Sequence, residues 1–138
     1  MTQRIQRITP FLWFDQDAEA AARFYVSVFD DARILHVARY GKSGAQASGQ
    51  AEGTVMTVSF ELDGQAFLAL NGGPVFPLTP AVSFVVNCRD QQEIDRYWAA
   101  LAEGGDERAQ QCGWLRDRFG VSWQVVPVQM AELMTGDP

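Results

Sequence analysis

The chain repeats itself once. Laying Asp17 on Asp90 also lays Arg23 on Arg96, Phe24 on Tyr97 and Tyr25 on Trp98. A long period that occurs twice marks a duplicated module rather than a solenoid, and this restricts the possible folds more than any single motif does. In the first copy, Ile8–Phe14 (ITPFLWF) is dense in aromatic and β-branched residues, as strands are. Asp15-Gln16-Asp17 then opens a helix, with acids where the helix dipole favours them. Its apolar stripe runs through Ala18, Ala21, Ala22, Tyr25, Val28 and Phe29. In the second copy Ala81–Cys88 is the strand, and Asp90 with Glu93 forms a capping-box-like start. Ile94, Trp98, Leu101 and Ala102 make the stripe, and Gly104-Gly105 stops the helix.

Each copy continues into strands. In the first, Ala32–Tyr40 is a strand, and the glycine-rich Gly41–Gly53 is a flexible loop long enough to act as a flap. Val55–Leu62 alternates strictly, Asp63-Gly64 is a hairpin signal, and Gln65–Asn71 returns. Asn71-Gly72-Gly73-Pro74, with Pro77 and Pro80, makes a stiff linker. In the second copy short strands are expected around Glu107–Cys112 and Gly113–Arg116. A turn at Asp117–Gly120 leads to a strand over Val121–Pro127, and Gln129–Met134 is a final helical turn. Each half is therefore βαβββ, and the fold class is α+β. Residues 1–138 form a single domain, with module one about 8–73, module two about 80–127 and a helical tail at 128–138. One such module covers one sheet face with its helix and leaves the other bare. Two modules can curl their bare faces around a cleft, the kind of place where small ligands bind.

The composition narrows the partners. Seventeen acids against 11 bases give a formal charge of −6, a poor match to phosphate backbones and anionic membranes, so no nucleic acid and no membrane is expected. No apolar run approaches the ~18 residues of a membrane span. The polar N-terminus leads into no signal-peptide pattern, which points to a cytoplasmic protein. Cys88 and Cys112 make neither a disulfide framework nor a zinc motif and are expected to be semi-buried hydrophobes.

Paired βαβββ modules, with ITPFLWF and a helix ending in FYVSVF, resemble the vicinal oxygen chelate superfamily of glyoxalases, bleomycin-resistance proteins and extradiol dioxygenases. FELDGQAFLALNGGP (Phe60–Pro74) and CGWLRDRFGVSWQVVP (Cys112–Pro127) resemble its PhnB-like branch, the family labelled 3-demethylubiquinone-9 3-methyltransferase. The resemblance spans roughly Thr9–Pro127. It implies glyoxalase-like paired βαβββ modules forming a cupped mixed β-sheet, and a homodimer. In metal-using relatives the ligands stand on the first and last strands of each module. By spacing from the helix starts and the last turn, those positions fall at Pro10, near Phe67 or Ala69, at Ser83 or a residue either side of it, and at Gln124. None is a histidine or carboxylate, so neither a metal nor any other cofactor is expected. The lone His36 lies outside that set and is expected to be a packed or surface residue. The methyltransferase label implies a methyl-donor site, but Asp15-Gln16-Asp17 lacks the glycine-rich turn of a Rossmann-like one.

The candidate ligand-binding residues are Gln124, Asn71, Phe67, Ser83 and Trp114. Gln124 either orients a polar ligand or pairs with a neighbouring strand. Asn71 either stands at the cup rim or shapes the turn before Gly72-Gly73. Ser83 can hydrogen-bond but has no base to activate it, and Trp114 is the tryptophan nearest a hairpin turn. If the Phe60–Phe67 face of the hairpin lines the cup, the pocket is apolar with Asn71 at its edge. If the other face does, Glu61, Ser59 and Thr57 line it, and Glu61 becomes a candidate general base. The resemblance favours the first arrangement. Four functions remain open: a small-molecule binder of unknown ligand, a metal-independent isomerase, lyase or transferase, a metal enzyme with ligands elsewhere, and an interaction role. No catalytic residue is assigned.

Overall fold

The computed structural model describes residues 5–130. They form two compact units that divide between Pro77 and Leu78, inside the proline-punctuated linker.

The first unit runs β1 (Phe11–Phe14), α1 (Ala18–Val28), β2 (Arg33–Arg39), α2 (Lys42–Ser48), β3 (Val55–Leu62) and β4 (Gln65–Asn71). Its four strands form one sheet in the order β1-β4-β3-β2. β1 is parallel to β4, and the other pairs are antiparallel. Asp63 and Gly64 both take positive φ, 52° and 78°, as the tightest hairpin turns require, and so fix Leu62 against Gln65. α1 buries Ala18, Ala21, Ala22, Tyr25 and Val28 against one sheet face, and Phe29 is half-buried at its end. The ring of Tyr25 stacks on Phe60 at 6.4 Å, and Phe60 stacks on Phe67 at 5.5 Å.

The second unit runs β5 (Ser83–Cys88), α3 (Gln91–Ala102), a single 3-10 turn at Glu107–Ala109, β6 (Trp114–Arg116) and β7 (Ser122–Pro127). Its sheet has the order β5-β7-β6, with β5 parallel and β6 antiparallel to β7. Tyr97 and Leu101 are the buried centre of the α3 face, while Ile94, Trp98 and Ala102 are half-buried. Leu115, Trp123, Val125 and Cys88 are buried in the same unit.

Three expectations need correction. Gly41–Gly53 is not a plain loop, because Lys42–Ser48 is helical and ends at Gly49. The base of this excursion is pinned by paired backbone bonds between Tyr40 and residues 53 and 54, each 2.8 Å. Glu107–Cys112 forms no strand. Asp106 caps a 3-10 turn through Arg108 N (3.0 Å), and only Gln111 bridges to Trp114. The second unit is therefore a strand short of βαβββ. Cys112 is exposed rather than semi-buried, and Cys88 is buried. Gln129 and Met130 are helical, and the rest of the expected tail lies outside the described residues.

Candidate functional site

Side chains paired across a sheet point to the same side, so the registers sort each sheet into a helix face and a helix-free face. In the first unit Leu12, Phe14, Val58, Phe60, Phe67, Ala69 and Asn71 are all buried on the face that α1 covers. Phe67 and Asn71, expected to line the cup, thus lie on the helix-covered side of their sheet. The Asn71 amide is engaged inside the unit. Its Oδ1 accepts from Ala18 N (2.8 Å) and its Nδ2 donates to Val55 O (3.2 Å), while its backbone carbonyl accepts from the Tyr40 hydroxyl (2.6 Å). Asn71 thus supplies the cap that Asp17 does not, for Asp17 makes no side-chain cap bond.

The helix-free face of that sheet carries Phe11 and Trp13 beside Leu68 and Leu70, then Thr57, Ser59 and Glu61. The alternative strand parity is thus the observed one. Glu61 is half-buried there and accepts from Arg33 at 3.2 Å across the strand pair. His36 is paired in register with Ser59 and is exposed. Trp13 donates from Nε1 to Gly73 O (2.9 Å) and lies against Gly72, where any Cβ would clash with its indole ring.

In the second unit the helix-free face is defined by Gln124. It is flanked by Val85 on β5 and Trp114 on β6, and the next row places Ser122 between Ser83 and Arg116. Gln124 Nε2 donates to Ser83 Oγ at 2.9 Å. Among the described residues the Gln124 amide oxygen and the Trp114 indole N–H have no hydrogen-bond partner. The structure therefore brings together Gln124, Ser83 and Trp114 in the second unit, while Phe67 and Asn71 are buried beneath α1 in the first. Sequence reasoning missed Arg116. Its signal was the alternation Trp114-Leu115-Arg116, which sends Arg116 to the same side as Trp114.

Parallel pairing also corrects the equivalence between units. Counted back from the ends of β1 and β5, Val85 against Gln124 falls on Phe11 against Leu68, which sets Gln124 level with Leu68 rather than Phe67 or Ala69, and Ser83 level with Thr9 rather than Pro10. The mismatch arises because three residues join β1 to α1 and only two join β5 to α3. The four corrected positions offer a threonine, a leucine, a serine and an amide already bonded to that serine. Neutral donors of this kind do not fit a divalent catalytic ion, which needs convergent imidazole or carboxylate groups. Among the described residues no group of three or more His, Cys, Asp or Glu is placed to hold one. A methyl donor bound in Rossmann fashion fits no better, since neither the β1–α1 nor the β5–α3 connection contains glycine and each sheet has a single parallel pair.

Known structures share this architecture. The PhnB protein of Bacillus cereus is 37% identical over 88% of this chain and 99% of its own, with a TM-score of 0.74. The fosfomycin resistance protein FosX of Mesorhizobium loti, at 14% identity, matches 96% of this chain and all of its own with a TM-score of 0.61. A glyoxalase/bleomycin resistance protein of Albidiferax ferrireducens, at 16% identity, covers 86% of this chain and 95% of its own with a TM-score of 0.52. The fold is that of the glyoxalase and bleomycin-resistance proteins. Within it, residues 6–126 match the model of the 3-demethylubiquinone-9 3-methyltransferase family, and the chain belongs to that family. No curated protein matches it.

Proposed function

We propose that this chain is a small-molecule-binding protein whose ligand lies on the helix-free face of β5, β7 and β6. The observation behind this reading is the half-buried Gln124–Ser83 pair beside the half-buried Trp114, with an amide oxygen and an indole N–H left to a ligand. Val85, half exposed in the same row, offers an apolar floor. Small-molecule sites are mostly apolar with a few placed polar groups that fix the ligand's orientation, and such a site needs neither metal nor bound cofactor. Titration with planar aromatic compounds is expected to quench tryptophan fluorescence saturably. Gln124→Ala is expected to weaken that binding about tenfold while leaving the denaturation midpoint in place. A broad panel giving no saturable quenching, or an affinity indifferent to Gln124→Ala, would overturn the reading.

A homodimer fits the same reading. In the first unit Ile8, Phe11, Val75 and Phe76 are large apolar side chains at least half exposed, and a second copy would cover them. Sedimentation equilibrium tests this. The free cysteines Cys88 and Cys112 suit a reducing compartment such as the cytoplasm. Among the described residues no helix is long and apolar enough to cross a membrane.

One observation favours a second reading, a metal-independent enzyme. Glu61 stands on the helix-free face of the first sheet with Ser59 two residues away on the same side. A carboxylate there could accept a proton from a substrate. Any turnover found should then fall at least about a hundredfold in Glu61→Gln, with binding retained.

A further inference from the structure

Arg116 is, among the described residues, the one basic side chain that is not exposed. Every other described arginine, and Lys42, is exposed. Partly withdrawing a guanidinium from water is costly unless an acceptor replaces the lost solvent. Yet Arg116 makes no side-chain hydrogen bond and no ion pair with any described residue, whereas Arg108 reaches Asp106 and Arg118 reaches Glu103. Asp106 is the carboxylate that feels the Arg116 charge, but only weakly. It is held below the usual carboxylate range first by hydrogen bonds from the Arg108 backbone and side chain, and least by Arg116. The register puts Arg116 on the same side as Trp114 and in the row of Ser83, with Gln124 paired to Trp114.

We propose that the ligand on this face is an anion, a small planar aromatic molecule bearing one carboxylate or phosphate group, and that Arg116 binds the oxyanion while Trp114 packs the ring. The proposal rests on the binding site described above and adds the charge of its occupant. Residues two apart on a strand stand roughly 6–7 Å from each other. A one-ring acid spans that separation with the reach of an arginine side chain. The guanidinium fork can take either oxyanion through two N–H donors. In a protein of net charge −6, overall charge does not draw anions to the surface, so the attraction must be local.

The test follows the indole N–H resonance of Trp114 by ¹H–¹⁵N NMR, assigned by its loss in Trp114→Phe, in the full-length protein. The probes are benzoate, phenyl phosphate and neutral benzamide. The expected result is that one or both anions shift this resonance saturably and bind more tightly than benzamide, and the tighter anion identifies the oxyanion. Arg116→Gln should weaken anion binding about tenfold or more and leave benzamide unchanged, and Arg116→Lys should restore part of the loss. Equal binding of anions and benzamide, unaltered by Arg116→Gln but reduced by Gln124→Ala, would overturn the anion and leave the binding site standing. A uniform loss of all three probes in Arg116→Gln would make Arg116 structural and equally overturn it. If no probe moves the resonance, both the anion and the site beneath it fall.

Discussion

Asn71 fills a gap that α1 leaves at its own start. The first turn of any helix has N–H groups without internal partners, and Asp17 sits at the right position but turns its carboxylate elsewhere. Asn71 reaches the Ala18 N–H from a strand 53 residues away, and its amide nitrogen holds the Val55 carbonyl. Asn71→Ala therefore strands a buried donor, and chemical denaturation should show a loss of about 1–3 kcal/mol with an unchanged slope. Asn71→Asp should not rescue it, since the new oxygen would face the Val55 carbonyl. A variant as stable as the parent would refute the cap. Asp117 is a parallel case, buried with Oδ1 accepting from Phe119 N and Val121 N and Oδ2 from the Trp123 indole. Such roles are hard to read in sequence because a local signal competes with a distant one. An Asn before Gly72-Gly73 looks like a turn residue, and an Asp before Ala18 looks like a cap.

At the scale of elements, the legible features were those set by neighbours in sequence. The α1 stripe, the Asp90 cap bond to Glu93 N (2.9 Å) and the Asp63-Gly64 hairpin all follow from spacing within a few residues. Even the capping box departs in detail, since Glu93 accepts from Arg89 N (2.8 Å) rather than from Asp90 N. Strand parity was less legible. Alternation says that Phe60 and Phe67 share a side but not which side the helix takes, and that one choice moved Phe67, Asn71 and Glu61. α2 was missed because its seven residues bury nothing, so no apolar period announces it. The same fact predicts its behaviour. A short helix without buried side chains opens locally, so the α2 amides should exchange with deuterium orders of magnitude faster than those of β3 and β4. The Tyr40 and Gly53 amides, bonded to Thr54 and Tyr40 carbonyls at 2.8 Å, should stay protected. Equal protection of α2 and β3 would mean that something covers the helix.

For the molecule as a whole, duplication was visible in the helices and misleading in the strands that follow. The second unit has lost a strand and shortened a connection, so positions counted from the helix starts slip by one residue in the first unit. Counted from the strand ends, the positions that the family resemblance assigns to a metal become Thr9, Leu68, Ser83 and Gln124. Leucine has no lone pair to give, and the Gln124 amide is already bonded to Ser83. Stripping the protein of divalent ions should then leave its thermal midpoint where it was. The comparison is quantitative, because a site held at a hundredfold above its dissociation constant adds about 2.7 kcal/mol of stability. In a chain of this length its loss would lower the midpoint by roughly 6–11 °C. Thermal scans before and after chelation, with elemental analysis of the same sample, decide the matter. A drop of that size together with a stoichiometric ion would place ligands elsewhere in the chain. An unmoved midpoint leaves binding to hydrogen bonds, the Trp114 ring and the Arg116 charge.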